Sequence, residues 1–213
     1  MTKTRRCVAE ARGSILIISA PSGSGKSTIV RHLLGAAPAL AFSVSYTTRP
    51  PRQGEKNGTD YIFINSSRFR RMAAAGAFAE SARVHGNYYG TPLRQLAAAQ
   101  RQGRDILLDI DVQGHRKVRR RIPGAVSVFL MPPSLQELDR RLCQRRSDGQ
   151  EDIDRRLAAA REEVQHGEEY DYVVVNDDVR RATRALISIL SAARLRRENQ
   201  RERIDKVLKT FGG

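Results

Sequence analysis

An α/β fold built on a mostly parallel sheet is the architecture this sequence predicts, and three observations predict it. Four short apolar runs, at Ile15–Ile18, Ile106–Asp111, Val126–Met131 and Tyr172–Val175, have the β-branched and aliphatic character of strands buried on both faces. Outside the middle of the chain these runs alternate with segments of helical character, as crossover connections in a parallel sheet require. The first run leads directly into a Gly- and Ser-rich turn, after which Ile29, Val30, Leu33 and Leu34 fall at helical spacing. The stretch from about 42 to 89 breaks the alternation. It is strand-rich with one small helix and reads as an insertion.

In chain order, residues 1–13 form a polar extension without internal pattern, and Ala36-Ala37-Pro38 stops the first helix. Phe42 to Tyr46 alternates like one half-buried strand. Thr47 to Gly58 is rich in Pro, Gly and charge and is expected to be a loop. Tyr61–Ile64 is a short strand, Ser66–Ala75 a small helix ended at Gly76, and Ala77–Val84 a further strand. His85 to Gly90 is expected as a Gly-bounded loop. Thr91 then serves as N-cap and Pro92 as the first turn of a helix that Gly103 closes. The run at 106–111 brings Asp109 and Asp111 to its C-terminal end. Ser134-Leu-Gln-Glu137 is a capping box for a helix reaching about Cys143. Gln144–Asp154 has no apolar stripe and is expected to be a mobile connector. Helix returns over 155–167, and 178 to about 209 is largely helical.

A length of 213 residues suits one domain with a sizeable core. No apolar run approaches the ~20 residues a membrane span needs. Cys7 and Cys143 fit neither a disulfide framework nor a metal site, so a reducing, cytoplasmic setting is expected. The net charge of +15 points to polyanionic partners. Part of it lies in residues 194–209, with seven basic against three acidic residues, and part in Arg116–Arg121, with five basic residues in six positions. Aromatic residues are scarce and no stacking platform or zinc-finger pattern appears, which argues against nucleic acid. Polyanionic substrates and Arg-rich solvated faces account for the charge equally well.

Ala20-Pro21-Ser22-Gly23-Ser24-Gly25-Lys26-Ser27 matches the phosphate-binding loop pattern G-x-x-x-x-G-K-[ST], with Ala20 in place of the first glycine. Gly23 and Gly25 allow successive backbone N–H groups to turn inward on phosphate oxygens, and the helix that follows adds its positive N-terminal end. Lys26 is placed to reach the β- and γ-phosphates, and the Ser27 hydroxyl to ligate Mg2+. Strand, loop and helix stand in the order the motif needs, so binding of a nucleoside triphosphate is expected.

The acceptor must be read elsewhere. Arg49 and Arg52, in a Pro-stiffened loop just after Ser45, suit bidentate recognition of a phosphate. Tyr61 and the Asn87–Thr91 stretch add hydroxyl donors. Glu80 and Asp111 could accept the paired N–H donors of a base edge, such as N1–H and the 2-amino group of guanine. Each has a plainer use, as solvated arginines, core tyrosines or a solvent-facing glutamate.

The stretches at 20–28, Ser43-Val-Ser-Tyr-Thr-Thr-Arg-Pro-Pro-Arg52, Gly86-Asn-Tyr-Tyr-Gly90, Leu108-Asp-Ile-Asp-Val-Gln-Gly114 and Val175-Asn-Asp-Asp178 together resemble those of guanylate kinases. The likeness runs from about Ile15 to Leu195. It implies a P-loop three-layer α/β/α core over 14–44, 93–138 and 158–197, and an inserted mixed α+β GMP-binding lobe over 45–92. It also implies a small helical lid over 139–157, between the N-terminal extension at 1–13 and a basic C-terminal tail at 198–213. By the same resemblance Ser45, Glu80, Thr91 and Asp111 hold guanine, and Arg49, Arg52, Tyr61 and Tyr89 hold the GMP phosphate. Ala20 to Thr28 bind ATP with Asn176 near the adenine, and Lys26, Arg145 and Arg156 stabilise the transferring phosphoryl group. Asp109 supports the Mg2+ through water. The chain departs from the family pattern at Ala20, at Thr91, where serine is also found, and in the lid. There Gln144-Arg145-Arg146 replaces Gly-Arg-Gly and gives Arg145 a competitor in Arg146.

The implied activity is transfer of the ATP γ-phosphoryl group to GMP or dGMP, with no membrane or nucleic-acid partner and an oligomeric state left open. A kinase for another phosphorylated acceptor would keep the P-loop but has no use for Glu80, Asp111 and the Ser45–Arg52 loop together. A non-enzymatic scaffold of this type would have lost the P-loop.

Overall fold

The computed structural model describes residues 12–84, 86–144 and 150–212. Most of the N-terminal extension, Cys7, Arg145 and Arg146 lie outside the described residues.

Strand β1 (Ile15–Ser19) is buried along its whole length because it is the middle strand of a five-stranded parallel sheet. Its neighbours are β7 (Ile106–Asp109) on one side and β8 (Val126–Met131) on the other. The edges are β2 (Ala41–Phe42) and β9 (Tyr172–Val175). Alternation along β1 loads both faces. Leu16 and Ile18 pack with Ile29, Val30 and Leu33 of α1 (Lys26–Ala36) and with Ala182, Leu186 and Leu190 of α7 (Val179–Arg194). Ile15 and Ile17 pack on the other face with Leu96 and Ala99 of α3 (Leu93–Arg101) and Val118 of α4 (Val112–Arg121). Helices on both faces of a parallel sheet make the three-layer core.

The inserted stretch builds a second, mixed sheet in the order β4-β3-β6-β5, from β3 (Tyr46–Thr47), β4 (Ile62–Phe63), β5 (Phe78–Val84) and β6 (Asn87–Pro92). Its core is aromatic: Phe69 of α2 (Ser66–Ala74) stacks on Phe78 and on Tyr88 at centroid distances of 4.7 and 5.3 Å. Helices α5 (Leu135–Cys143) and α6 (Gln150–Glu163) form a hairpin with its own small core of Leu138, Leu142, Ile153 and Ala160. After a 3-10 turn at Val164–Glu169 come β9 and α7, and the chain ends in α8 (Arg201–Thr210).

Several local expectations are corrected. The strand expected over 42–46 divides between the two sheets. Between its halves the Gln95 amide takes the place of a neighbouring strand, accepting from Val44 N at 3.0 Å and donating to Val44 O at 3.2 Å. Asn87 to Pro92 is a strand rather than a loop and helix start, because its backbone pairs with β5 and β3. Pro92, not Thr91, precedes helix α3. The basic run at 116–121 lies inside α4, whose buried face is Val112, Gly114, His115 and Val118. Only half of the capping box forms: Ser134 accepts from Glu137 N at 3.1 Å, while the Glu137 carboxylate turns to Arg140 and Arg141. The connector expected to run to Asp154 is helical from Gln150. Strand β9 lies at an edge, and of its four residues only Val174 is buried.

Candidate functional site

The phosphate-binding loop leaves the C-terminal end of β1 and enters α1. Gly23 and Gly25 have φ of 85° and 89°, which only glycine adopts without strain. Close packing adds a second requirement. A Cβ on Gly23 would stand 2.7 Å from Leu142 of α5, and one on Gly25 would stand 2.7 Å from the Asn176 amide. The Ser24 carbonyl accepts from Asn176 Nδ2 at 2.7 Å and from Arg141 Nη1 at 3.1 Å. Arg141 also donates to the Asn176 carbonyl at 3.0 Å and is held by Glu137 at 2.8 Å. Ser22 is tied by α6, its N–H donating to Glu163 Oε2 at 3.2 Å and its hydroxyl oxygen accepting from Arg156 Nε at 3.0 Å. Burial pushes the Glu163 carboxyl above the usual range, and the Ser22 N–H opposes that shift.

Lys26, in the first turn of α1, has its ammonium 2.6 Å from Asp109 Oδ1 at the end of β7. The two meet because β1 and β7 are adjacent and in parallel register, with Ile18 opposite Asp109. This end of the sheet opens into a cleft of about 940 Å³. Lys26, Ser27, Asp109 and Asp111 line it together with Ser45, Arg49, Arg52, Tyr61, Glu80 and Tyr89. Residues far apart in the chain are thus brought together around one volume. Ala20, Pro21, Ser22, Gly23, Ser24, Gly25, Thr28, Arg156 and Asn176 are not among its lining. They belong to the loop and the start of α1, or contact the loop directly, Arg156 at the Ser22 hydroxyl and Asn176 at the Ser24 carbonyl.

Within the cleft, Arg49 is held by Glu55 in a two-pronged contact at 2.7 and 2.9 Å and lies over the Tyr61 ring at 5.5 Å. Glu55 also accepts from Arg52 N at 2.7 Å, and these donors hold its carboxyl below the ordinary range. Tyr61 and Tyr89 meet edge to face at 5.9 Å. Glu80 is 7% exposed, and the Thr91 hydroxyl behind it donates to Oε1 at 2.7 Å. Burial raises the Glu80 carboxyl above its usual range, against the Thr91 hydrogen bond. Asp111 faces the cleft and also caps α4, its Oδ1 accepting from Gly114 N at 2.7 Å.

Arg141, Glu163, Glu55 and Gln95 were not found by sequence reasoning. Arg141 stands four residues after Glu137, which already explains it as a surface pair on a helix. Only Glu55 left a signal, as the acid nearest two arginines in a Pro-rich loop.

A parallel three-layer sheet with this loop at the end of its central strand, and a lysine reaching from the loop to the neighbouring strand, defines a P-loop nucleotide-binding protein. The family model for guanylate kinase matches residues 12–193. The chain is 47% identical over 201 residues to a guanylate kinase of Alkalilimnicola ehrlichii, covering 94% of this chain and 99% of that one. It is 49% identical over 191 residues to a guanylate kinase of Aromatoleum aromaticum, covering 90% and 94%. The solved guanylate kinase of Anaplasma phagocytophilum aligns with a TM-score of 0.74 at 37% identity, over 89% of this chain and 90% of that one. The chain belongs to the guanylate kinase family.

Proposed function

We propose that this enzyme transfers the γ-phosphoryl group of ATP to GMP or dGMP, yielding ADP and GDP or dGDP. One observation carries the assignment: the P-loop lysine opens into the same cleft as the Glu80–Asp111 carboxylate pair and the Arg49–Arg52 loop. Phosphoryl transfer needs positioning and charge neutralisation rather than covalent chemistry, and the cleft offers both. The P-loop N–H groups and Lys26 hold the ATP phosphates. Arg49, Arg52, Tyr61 and Tyr89 hold the GMP phosphate. Glu80 and Asp111 accept from the guanine edge, with Ser45 beside them and Thr91 fixing Glu80. Arg156, beside Ser22, and Arg145 supply further positive charge to the transferring group. Two of the cleft's cations stand in ion pairs, Lys26 with Asp109 and Arg49 with Glu55, and each exchanges its carboxylate for phosphate as the substrates bind.

The residues present fit Mg2+. Among the described residues no cluster of three or more His, Cys, Asp or Glu side chains could hold a metal alone. That suits an ion carried by phosphate oxygens and water with few protein ligands. Ser27 and, through water, Asp109 would hold it, and when bound it neutralises charge on the β- and γ-phosphates. No helix among the described residues is long and apolar enough to cross a membrane. The lobe at 45–92 and the lid at 139–157 are proposed to close on the substrates and exclude water from the phosphoryl group.

The test is ADP release from Mg2+ and ATP in parallel with GMP, dGMP, AMP, CMP and UMP. Turnover confined to the guanine nucleotides is expected. Turnover with a different base would leave the kinase standing and remove Glu80 and Asp111 as its base readers.

A further inference from the structure

Helix α4 carries the contacts that set where the two carboxylates of the cleft stand. Asp111 is its N-cap. Further along, the Lys117 ammonium donates to the Ser81 carbonyl. In the last turn Arg121 donates from Nη1 to the Phe78 carbonyl at 2.9 Å and from Nη2 to the Gly76 carbonyl at 3.3 Å. Ser81 and Phe78 bracket Glu80 on β5. The bracketed segment is where the β5–β6 ladder slips: Phe78 stands opposite Pro92 and Glu80 opposite Thr91, so two steps on β5 meet one on β6. A bulge of this kind re-aims a side chain and leaves backbone groups without ladder partners. Here the cations of α4 take the carbonyls on either side. The gap between the carboxylates is set from the same helix, since a Cβ on Gly114 would stand 3.2 Å from Asp111 Oδ1 and 3.4 Å from Glu80 Cδ.

The outer face of this arrangement is a cleft of about 350 Å³ lined in part by Lys117, Arg120 and Arg121, which invites an anion-binding interpretation. The hydrogen bonds decide against it. Lys117 and Arg121 are committed to backbone carbonyls, and Arg121 stands at the C-terminal end of α4, where the helix dipole disfavours an anion.

We infer that Lys117 and Arg121 are positioning residues for guanine recognition: they pin the bulge of β5 to α4 and so hold Glu80 in register with Asp111. This rests on the proposed function, because it assigns a cause to the acceptor selectivity claimed there. The experiment compares wild type with Lys117→Met, Arg121→Met, Lys117→Arg and Gly114→Ala. It measures kcat and KM for GMP and AMP, KM for ATP, and the melting temperature. Each methionine variant is expected to raise KM for GMP about tenfold, the scale of one misaligned charge-assisted hydrogen bond. GMP-over-AMP selectivity should fall with it, while kcat and KM for ATP stay within about threefold, and Lys117→Arg should restore selectivity. If the methionine variants fold poorly, Gly114→Ala perturbs the same spacing with the tethers intact, and it too should raise KM for GMP. A folded Lys117→Met or Gly114→Ala with wild-type KM for GMP overturns the inference. So does an equal loss toward ATP and GMP, or a failure of Lys117→Arg to rescue. A wild-type enzyme indifferent to GMP overturns the functional assignment, and this inference with it.

Discussion

Lys26, Arg49 and Glu80 each do something in the free protein that their role with substrates must undo or use. The Lys26 ammonium sits on Asp109 at 2.6 Å, so the position it needs for phosphate is already stabilised by a carboxylate. Lys26→Ala is expected to lower kcat by at least ~10²-fold, the scale for loss of one key electrostatic donor. Near-normal turnover would remove Lys26 from the catalytic step. Arg49→Ala should act mainly on KM for GMP and leave KM for ATP unchanged, in keeping with the role proposed for its guanidinium at the GMP phosphate. Glu80 combines stability and function with opposite signs. Its folded pKa lies above its unfolded value, so the folded state holds the proton longer. Stability is therefore lost as pH rises through and above the ordinary glutamate range. Glu80→Gln should consequently melt higher than wild type by a margin that is larger at pH 8 than at pH 4, while its KM for GMP rises. A margin independent of pH would show that burial of the charge carries no such cost.

At the scale of elements, the P-loop is held from behind as much as it is shaped by its glycines. Asn176, at the end of β9, and Arg141, on α5, converge on the Ser24 carbonyl. This ties the loop to the sheet edge and to the α5–α6 hairpin at once. Arg141→Met removes a charged donor worth about 1.5 kcal/mol, or roughly tenfold. The loss should appear in KM for ATP and leave KM for GMP unaltered. Equal effects on both substrates would mean that the contact supports the whole core and not the loop. None of this was legible in the sequence. Glycines and lysine announce a phosphate-binding loop through local conformational demands, but a backbone carbonyl's partners come from elements more than a hundred residues away. The division of 42–46 between two sheets was hidden for the same reason, because it depends on the Gln95 side chain standing in for a strand.

For the whole molecule, four arginines are tied to carboxylates, three of them across distant parts of the chain. Arg116 pairs with Glu169, Arg119 with Asp171, Arg181 with Asp177 and Arg194 with Asp105. The Arg194 pair differs from the others in that Asp105 is buried; its carboxylate accepts from Ser14 N at 2.7 Å and so joins α7 to the start of β1. Helix α8 contributes no buried residue, and Val207, Leu208 and Phe211 are at least half exposed. Truncation after Gln200 keeps Asn199, which binds Ser14 Oγ at 3.1 Å, and removes only exposed surface. It should cost less than ~1 kcal/mol, a shift of no more than about 2–4 °C in Tm, with GMP turnover unchanged. A larger drop would mean that α8 is covered in solution.

The layered core, the P-loop and many of the polar side chains facing the cleft, though not Glu55, were legible in the residues alone. Buried parallel strands, helical periodicity and a glycine-lysine loop all record local constraints on the residue that carries them. Tertiary structure alone decided that β9 is an edge and that Asn87–Pro92 is a strand. It also decided that Thr91 buttresses Glu80 instead of capping a helix, and that a basic run serves as the tethering face of α4. Each of these depends on which distant backbone group stands opposite, and hydrogen bonds between distant elements leave no periodic trace in the chain that makes them.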